Sequence, residues 1–235
     1  MTNSLALHEQ SRQRRKLLPS LLHSAGDLQE MIKLLLIYGH ELSHCALRDL
    51  LGADNTLHLA HEAAEVSAVL PRLRQQAFDI ILLDVSAPEK NGLEAFCDLK
   101  QAAPHIPILI INGSDHSDRM NNFVRLGCKG YLSYTTPSEQ VIPAIKSIAR
   151  GETYVRPQHA PVTTRNTPIL HERLSLRELQ VFFKLIKGQS VNSVAEELEI
   201  APGSVSVFRS KILKKMNVHN NAALIHYALA HHLIS

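Results

Sequence analysis

Ser190-Val191-Asn192-Ser193-Val194-Ala195-Glu196-Glu197-Leu198-Glu199-Ile200-Ala201-Pro202-Gly203-Ser204-Val205 is the stretch on which the fold of this chain turns. Ser190 has the character of an N-cap, and Val191, Val194, Ala195 and Leu198 recur at helical spacing on one face. Ile200-Ala201-Pro202-Gly203 then breaks the chain, and a second helix is predicted over Ser204 to Met216. Helix, short break and helix is the helix-turn-helix layout.

Upstream, Ser175 with Glu178 forms a capping box, and Leu179, Phe182, Phe183 and Ile186 give an apolar face that ends at Gly188. In the helix after the break, Val205, Phe208, Ile212, Leu213 and Met216 fall near one face. Ser204, Ser206, Val207, Arg209, Ser210, Lys211, Lys214 and Lys215 lie around the others. Short side chains near a helix start permit close approach to base edges in a major groove, and cations further along meet phosphates. The hydroxyl of Ser204 adds a donor at a helix N-terminus already suited to a phosphate.

With Leu174-Ser175-Leu176-Arg177-Glu178, Gly188-Gln189-Ser190, Ala195, Leu198, Ile200, Ser204-Val205 and Lys214-Lys215-Met216-Asn217-Val218 in place, residues 172–235 resemble the LuxR/FixJ-type helix-turn-helix. The resemblance implies four helices, a recognition helix over Ser204 to Lys215, base-facing positions at Ser206, Val207 and Ser210, and a fourth, dimerising helix over Ala222 to Leu233. Ser206, Phe208 and Ser210 stand where many members carry Lys, His and Lys, so base preference does not carry over. Ala201 replaces the usual Ser cap, a change worth ~1 kcal/mol that Pro202 at the first helical position softens.

Before this domain the pattern alternates. Apolar runs of strand length, Ile32 to Ile37, Ile80 to Leu83 and Ile106 to Ile111, are separated by helical spacing at Leu42 to Leu51 and Val66 to Leu73. Short segments at Leu57 to Ala60 and Gly130 to Leu132 bring the expected strands to five, and Pro143 to Arg150 reads as a closing helix. Such alternation predicts an α/β domain, a parallel sheet doubly wound with helices, over residues 31–150. In such a sheet functional residues gather at the carboxyl ends of the strands, where Tyr38, Asp84 and Asn112 fall.

These residues resemble the response-regulator receiver through Ile80-Ile81-Leu82-Leu83-Asp84, Pro88, Asn91-Gly92-Leu93-Glu94, Ile106-Pro107-Ile108, Gly127 to Leu132 and Ala149-Arg150-Gly151-Glu152. The chain as a whole is similar to the NarL/FixJ response regulators. The resemblance places Asp84 at the phosphoacceptor, and it implies a divalent cation held by two further carboxylates where this chain has Tyr38 and Gly39. Mg²⁺ wants several oxygen ligands, and these positions supply none from a side-chain carboxylate. The family's lysine is replaced by Tyr134 and its sensing Thr or Ser by Asn112, while Tyr131 stands at the aromatic switch position. The pocket reads as degenerate. Asp84 is then either a relic held by hydrogen bonds or ionised beside Lys90 or Lys129, with Tyr38 and Tyr134 filling the former phosphate site.

The formal charge of +3 permits a nucleic-acid partner without requiring one. The 235 residues, 45% hydrophobic, suffice for two modest cores. Cys45, Cys97 and Cys128 have neither zinc nor redox spacing and read as small hydrophobes in a reducing compartment. His40, His44, His58 and His61 make no metal spacing. Residues 1–30 form an N-terminal extension with a basic knot at Arg12, Arg14, Arg15 and Lys16, and 151–171, with Pro157, Pro161 and Pro168, have the composition of a linker.

Together these features predict a cytoplasmic, dimeric regulator of transcription acting independently of phosphorylation, with double-stranded DNA, as inverted repeats, for its partner. No catalytic constellation, cofactor, metal site or membrane segment is expected. The other readings are an auxiliary regulator that heterodimerises with a competent one, a conventional phosphorelay output phosphorylated on Asp84, and a receiver gated by a cyclic dinucleotide at Tyr154-Val155-Arg156.

Overall fold

The computed structural model describes residues 31–87, 91–113, 117–155, 169–231 and 233–234, with 117–119 described in backbone only. The expectations placed on residues 1–30, Pro88, Lys90, Arg156 and most of the linker lie outside the described residues.

The first half is a five-stranded, all-parallel sheet in the order β2-β1-β3-β4-β5, made of β1 (Ile32–Ile37), β2 (Leu57–Ala63), β3 (Ile80–Asp84), β4 (Ile108–Asn112) and β5 (Gly130–Ser133). Alternate residues supply opposite faces, as the two-residue period of a strand requires. Leu34, Leu36, Leu82 and Ile111 pack with α1 (Glu41–Gly52) and α5 (Val141–Ala149). Leu35, Ile37, Leu83 and Ile110 pack with α2 (Val66–Leu73), α3 (Gly92–Ala102) and α4 (Ser117–Arg125). Burial on both faces explains why the central strands read as unbroken apolar runs.

In this half β2 and the segment after α5 depart most from expectation, while β4 starts at Ile108 and α5 at Val141, each two residues from the expected start. β2 continues to Ala63, three residues beyond the predicted end, because β1 pairs with it as far as Ile37↔Ala63. A bulge beside Ala60 shifts the register between Leu34 and Leu35, and at this edge of the sheet His61 and Glu62 keep contact with solvent. The start of the predicted linker is also ordered: Tyr154 bridges to Gly130, with Tyr154 N–H donating to Lys129 O (2.8 Å) and Tyr131 N–H to Tyr154 O (3.2 Å). Tyr154 is thus part of the sheet edge.

The second half is helical: a short 3₁₀ turn at Leu170–Arg173, then α6 (Leu176–Ile186), α7 (Val191–Glu197), α8 (Pro202–Lys215) and α9 (Asn221–Ala230). The capping box forms, Ser175 Oγ accepting from Glu178 N and Ser175 N donating to Glu178 Oε2 (2.7 Å). α8 begins at Pro202, two residues before the predicted start, since proline at the first position needs no backbone partner for its nitrogen. His171, expected at the end of the linker, is buried against α9.

α6 is buried on every side from Glu178 to Ile186, Gln180 and Lys184 included. One face meets α8 and α9, and the other meets α3 of the first half, where Gln180 Nε2 donates to Cys97 O (2.9 Å) and Lys187 Nζ to Glu94 Oε1 (2.6 Å). Cys97 and Cys128 are buried as expected of small hydrophobes, and burial pushes their thiols up, that of Cys128 to about 12. Cys45 departs from that expectation by being exposed.

Candidate functional site

The carboxyl ends of β1, β3, β4 and β5 bring Tyr38, Gly39, Asp84, Asn112 and Tyr134 together, as a parallel sheet does. Asp84 is 5% exposed. Its Oδ2 accepts from Gly39 N (3.1 Å), Ser43 Oγ (2.8 Å) and Tyr134 Oη (2.8 Å), and its Oδ1 from Ser86 N (2.9 Å). All four donors are neutral. Burial, with the neighbouring carboxylate adding to it, raises the Tyr134 hydroxyl above the ordinary tyrosine range against the opposing bonds of Ser43 and Ser86, so it remains a donor.

Of the two substitute cations, Lys90 lies outside the described residues and Lys129 fails on geometry. Lys129 precedes β5, its N–H bonded to Ile108 O at the start of β4 (2.9 Å), and so stands at the other end of the sheet from Asp84. There it faces Lys100, whose ammonium is depressed first by burial and then by Lys129. Tyr38 also departs from expectation: it lies flat on His44 (ring centroids 3.9 Å apart, 10° between planes) and borders the cleft beside Asp84 without sharing its hydrogen bonds. Of the two tyrosines, Tyr134 alone caps the acid.

The residues present do not fit the divalent cation of the receiver family. Among the described residues no group of three or more His, Cys, Asp or Glu is placed to hold a metal. A Cβ at Gly39 is tight: it meets Ser86 Oγ at 3.0 Å, Ala87 N at 3.1 Å and Asp84 Oδ2 at 3.2 Å, so these neighbours must give by a few tenths of an ångström. Beneath the pocket, Tyr131 turns inward and its hydroxyl accepts from Asn112 Nδ2 (2.6 Å), both residues being buried.

Several members of this constellation carry no sequence signal. Ser43 and Ser86 become partners of Asp84 only because α1 and the segment after β3 close over the same strand ends. His44 was legible only as a histidine without metal spacing; it is buried, with Glu62 on Nε2 and Arg48 one helical turn along, while His40 and His58 are exposed. The His61 ring is depressed by burial and then by Arg72.

The second constellation is on α8. Val205, Ile212 and Met216 are buried, leaving Gly203, Ser206, Val207, Ser210, Lys211 and Lys214 as one exposed stripe along the helix. Ser204 is half-buried in the first turn, and its backbone N–H already bonds Ala201 O (2.9 Å). Ser190 is exposed and caps α7, accepting from Ser193 N (3.1 Å). Arg209 is half-buried and its Nε donates to Asn221 Oδ1 (2.8 Å), tying α8 to α9. Lys215 Nζ donates to the buried Glu178 Oε2 (2.6 Å). Burial pushes the Glu178 carboxyl up, but the bonds from Lys215 and Ser175 outweigh it and hold it below the usual range. Lys211, over the Phe208 ring at 5.8 Å, and Lys214 are exposed, as is Lys215 beside its bond to Glu178.

A parallel doubly wound sheet with its acid at the end of β3, joined to a four-helix unit whose third helix bears an exposed polar and basic stripe, defines a regulator that reads DNA. Comparison with known proteins agrees: residues 34–146 match the response regulator receiver domain and residues 172–228 the bacterial regulatory proteins of the luxR family. The chain belongs to the NarL/FixJ response regulators: it is a DNA-binding response regulator with a LuxR-type helix-turn-helix, and not an enzyme. It is similar to Response regulator UvrY of Escherichia coli K12, 29% identical over 86% of this chain and 96% of the relative. It is also similar to Oxygen regulatory protein NreC of Staphylococcus carnosus, 25% identical over 86% and 99%. The fold is that of the RcsB response regulator of Salmonella typhimurium, with a TM-score of 0.52 at 15% identity over 85% of this chain and 98% of that one. Among the described residues no helix is long and apolar enough to cross a membrane.

Proposed function

We propose that this response regulator works without phosphorylation, binding inverted-repeat promoter DNA as a homodimer through α8. The carrying observation is the state of Asp84: four neutral donors already occupy its two oxygens, one of them the Tyr134 hydroxyl standing where the family's lysine would meet a phosphoryl group. Tyr38 and Gly39 supply no carboxylate, so a cation that wants several oxygen ligands finds one acid at these strand ends. The inward Tyr131 bonded to Asn112 fits a domain held in one conformation.

In this reading residues 31–150 are the receiver-like domain, 151–171 the linker and 172–235 the DNA-binding domain. Ser206, Val207 and Ser210 face the bases, Ser190, Ser204, Lys211 and Lys214 meet phosphates, and Arg209 and Lys215 brace α8 against α9 and α6. The homodimer is supported by a similar structure described as two RcsB dimers bound to two parallel DNAs.

The test is twofold. Incubation with acetyl phosphate and Mg²⁺ followed by intact mass measurement gives no phosphoryl adduct, and the untreated protein recovers a few inverted-repeat sites from a genomic fragment library at near-physiological salt. A stoichiometric adduct on Asp84 that raises DNA affinity overturns the proposal.

A further inference from the structure

The receiver-like and DNA-binding domains meet along a seam of α3 against α6, and the seam is built like an interior. Phe96, Cys97 and Leu99 of α3 belong to the same buried apolar cluster as Leu179, Phe182 and Phe183 of α6. Asn91, Glu94, Asp98 and Gln101 recur at helical spacing on the α3 side, and Gln180, Lys184 and Lys187 on the α6 side. Gln180, 4% exposed, crosses the seam by donating from Nε2 to Cys97 O (2.9 Å). Asn91 Nδ2 donates to Leu233 O (2.7 Å), Lys187 Nζ to Glu94 Oε1 (2.6 Å) and Gln101 Nε2 to Glu197 O (3.2 Å). Burial pushes the Asp98 carboxyl up to about 6 against the opposing charge of Lys184, as a contact that excludes water does. Domains of one chain move against each other by default unless their interface is large and apolar. Here the apolar cluster runs through, and the buried amide in it is bonded.

What the seam leaves uncovered decides its role. It engages the side of α6 away from α8, the end of α7 and the chain after α9. With the receiver-like domain in place, Ser206, Val207, Ser210 and Lys211 stay exposed along α8, and Ala222, His226 and Leu229 along α9. An autoinhibitory contact has to cover a surface that binding needs, and this one covers neither. We infer that the α3–α6 seam locks the two domains in the arrangement that binds DNA, so that no release of the DNA-binding domain precedes promoter binding. This rests on the reading of α8 as the DNA-binding helix and supplies a reason for independence from phosphorylation: a lock with nothing to release needs no phosphoryl signal.

The full-length parent first selects a site from a random-sequence duplex library. Glu94→Cys and Lys187→Cys, at positions ion-paired across the seam, are then combined in a Cys45→Ser background, where Cys97 and Cys128 are shielded by burial. A short bis-maleimide bridges the two introduced thiols. The bridge forms in the free protein and equally when the site is bound, and the bridged protein holds the site within about twofold of the unbridged variant, below the roughly fivefold that coupling between two states gives. Gln180→Glu, which sets a carboxylate against the Cys97 carbonyl and opens the seam, leaves the affinity unchanged or lower. A bridged protein that loses about fivefold or more, or a Gln180→Glu variant that gains as much, makes the docked form the inhibited one and overturns the proposal. A bridge that does not form, or that DNA suppresses, also overturns it. Failure of the parent to select any site overturns the DNA-binding assignment of α8 itself, which separates the two.

Discussion

Replacing Asp84 by alanine distinguishes a structural acid from a phosphoacceptor. In a domain where the acid waits for a phosphoryl group, its loss silences signalling and leaves the fold alone. Here it removes the acceptor for donors from β1's end, α1, the segment after β3 and the segment after β5. The hydroxyls of Ser43 and Tyr134 can turn to water, Tyr134 being 47% exposed, whereas the backbone N–H groups of Gly39 and Ser86 are fixed in direction by the chain. Counting only those two, at ~1.5 kcal/mol for each bond to a charged acceptor, the expected loss is about 3 kcal/mol. For a domain of this size that is roughly 10 °C in melting temperature. Asp84→Asn keeps one acceptor and turns an amide toward the other donors, so about half the loss is expected. Urea unfolding and thermal melting of the full chain by circular dichroism measure both. If Asp84→Ala stays within about 1 kcal/mol of the parent, the hydrogen-bond hub is not what holds these strand ends together.

Gly39→Asp, which restores part of the family's acidic pair, forces a Cβ onto Ser86, Ala87 and Asp84. It is expected to cost ~1–2 kcal/mol and to give no phosphoryl adduct with acetyl phosphate in the mass assay. His171 is depressed to about 4, chiefly by burial and then by His231. A base whose folded value lies below its unfolded 6.5 stabilises fully above pH 6.5 and loses that contribution as pH falls toward 4, about 3 kcal/mol in all. Urea midpoints across that window are therefore steeper in the parent than in His171→Gln; equal slopes would remove the assignment. Glu199 adopts a φ of 53° in the turn between α7 and α8, and its ion pair with Arg74 is long and exposed. Glu199→Gly is expected to stabilise by ~0.5–1 kcal/mol in the same unfolding assay, because glycine enters the left-handed region without strain. Ser175→Ala breaks the capping box at α6 and costs about 1 kcal/mol; an unchanged urea midpoint would show that Lys215 alone holds Glu178.

What the sequence determined by itself was local or periodic. The apolar runs at Ile32–Ile37 and Ile80–Leu83 had strand length, and the spacing of Val191, Val194, Ala195 and Leu198 before the Pro202 break read as helix and turn. The carboxyl-end rule for parallel sheets then placed Tyr38, Asp84 and Asn112 together without coordinates. The tertiary structure decided everything that depends on which side chain reaches across space. Tyr134 lies fifty residues from Asp84 in the chain and Ser43 forty-one, so no spacing announces that they share one oxygen. Lys215 and Lys214 are adjacent, chemically identical and both exposed, yet Lys215 reaches the buried Glu178 because α6 lies on its side of α8. Sequence specifies the period of a helix; the phase of that period against its neighbours, and so the work each lysine does, is set when the helices pack.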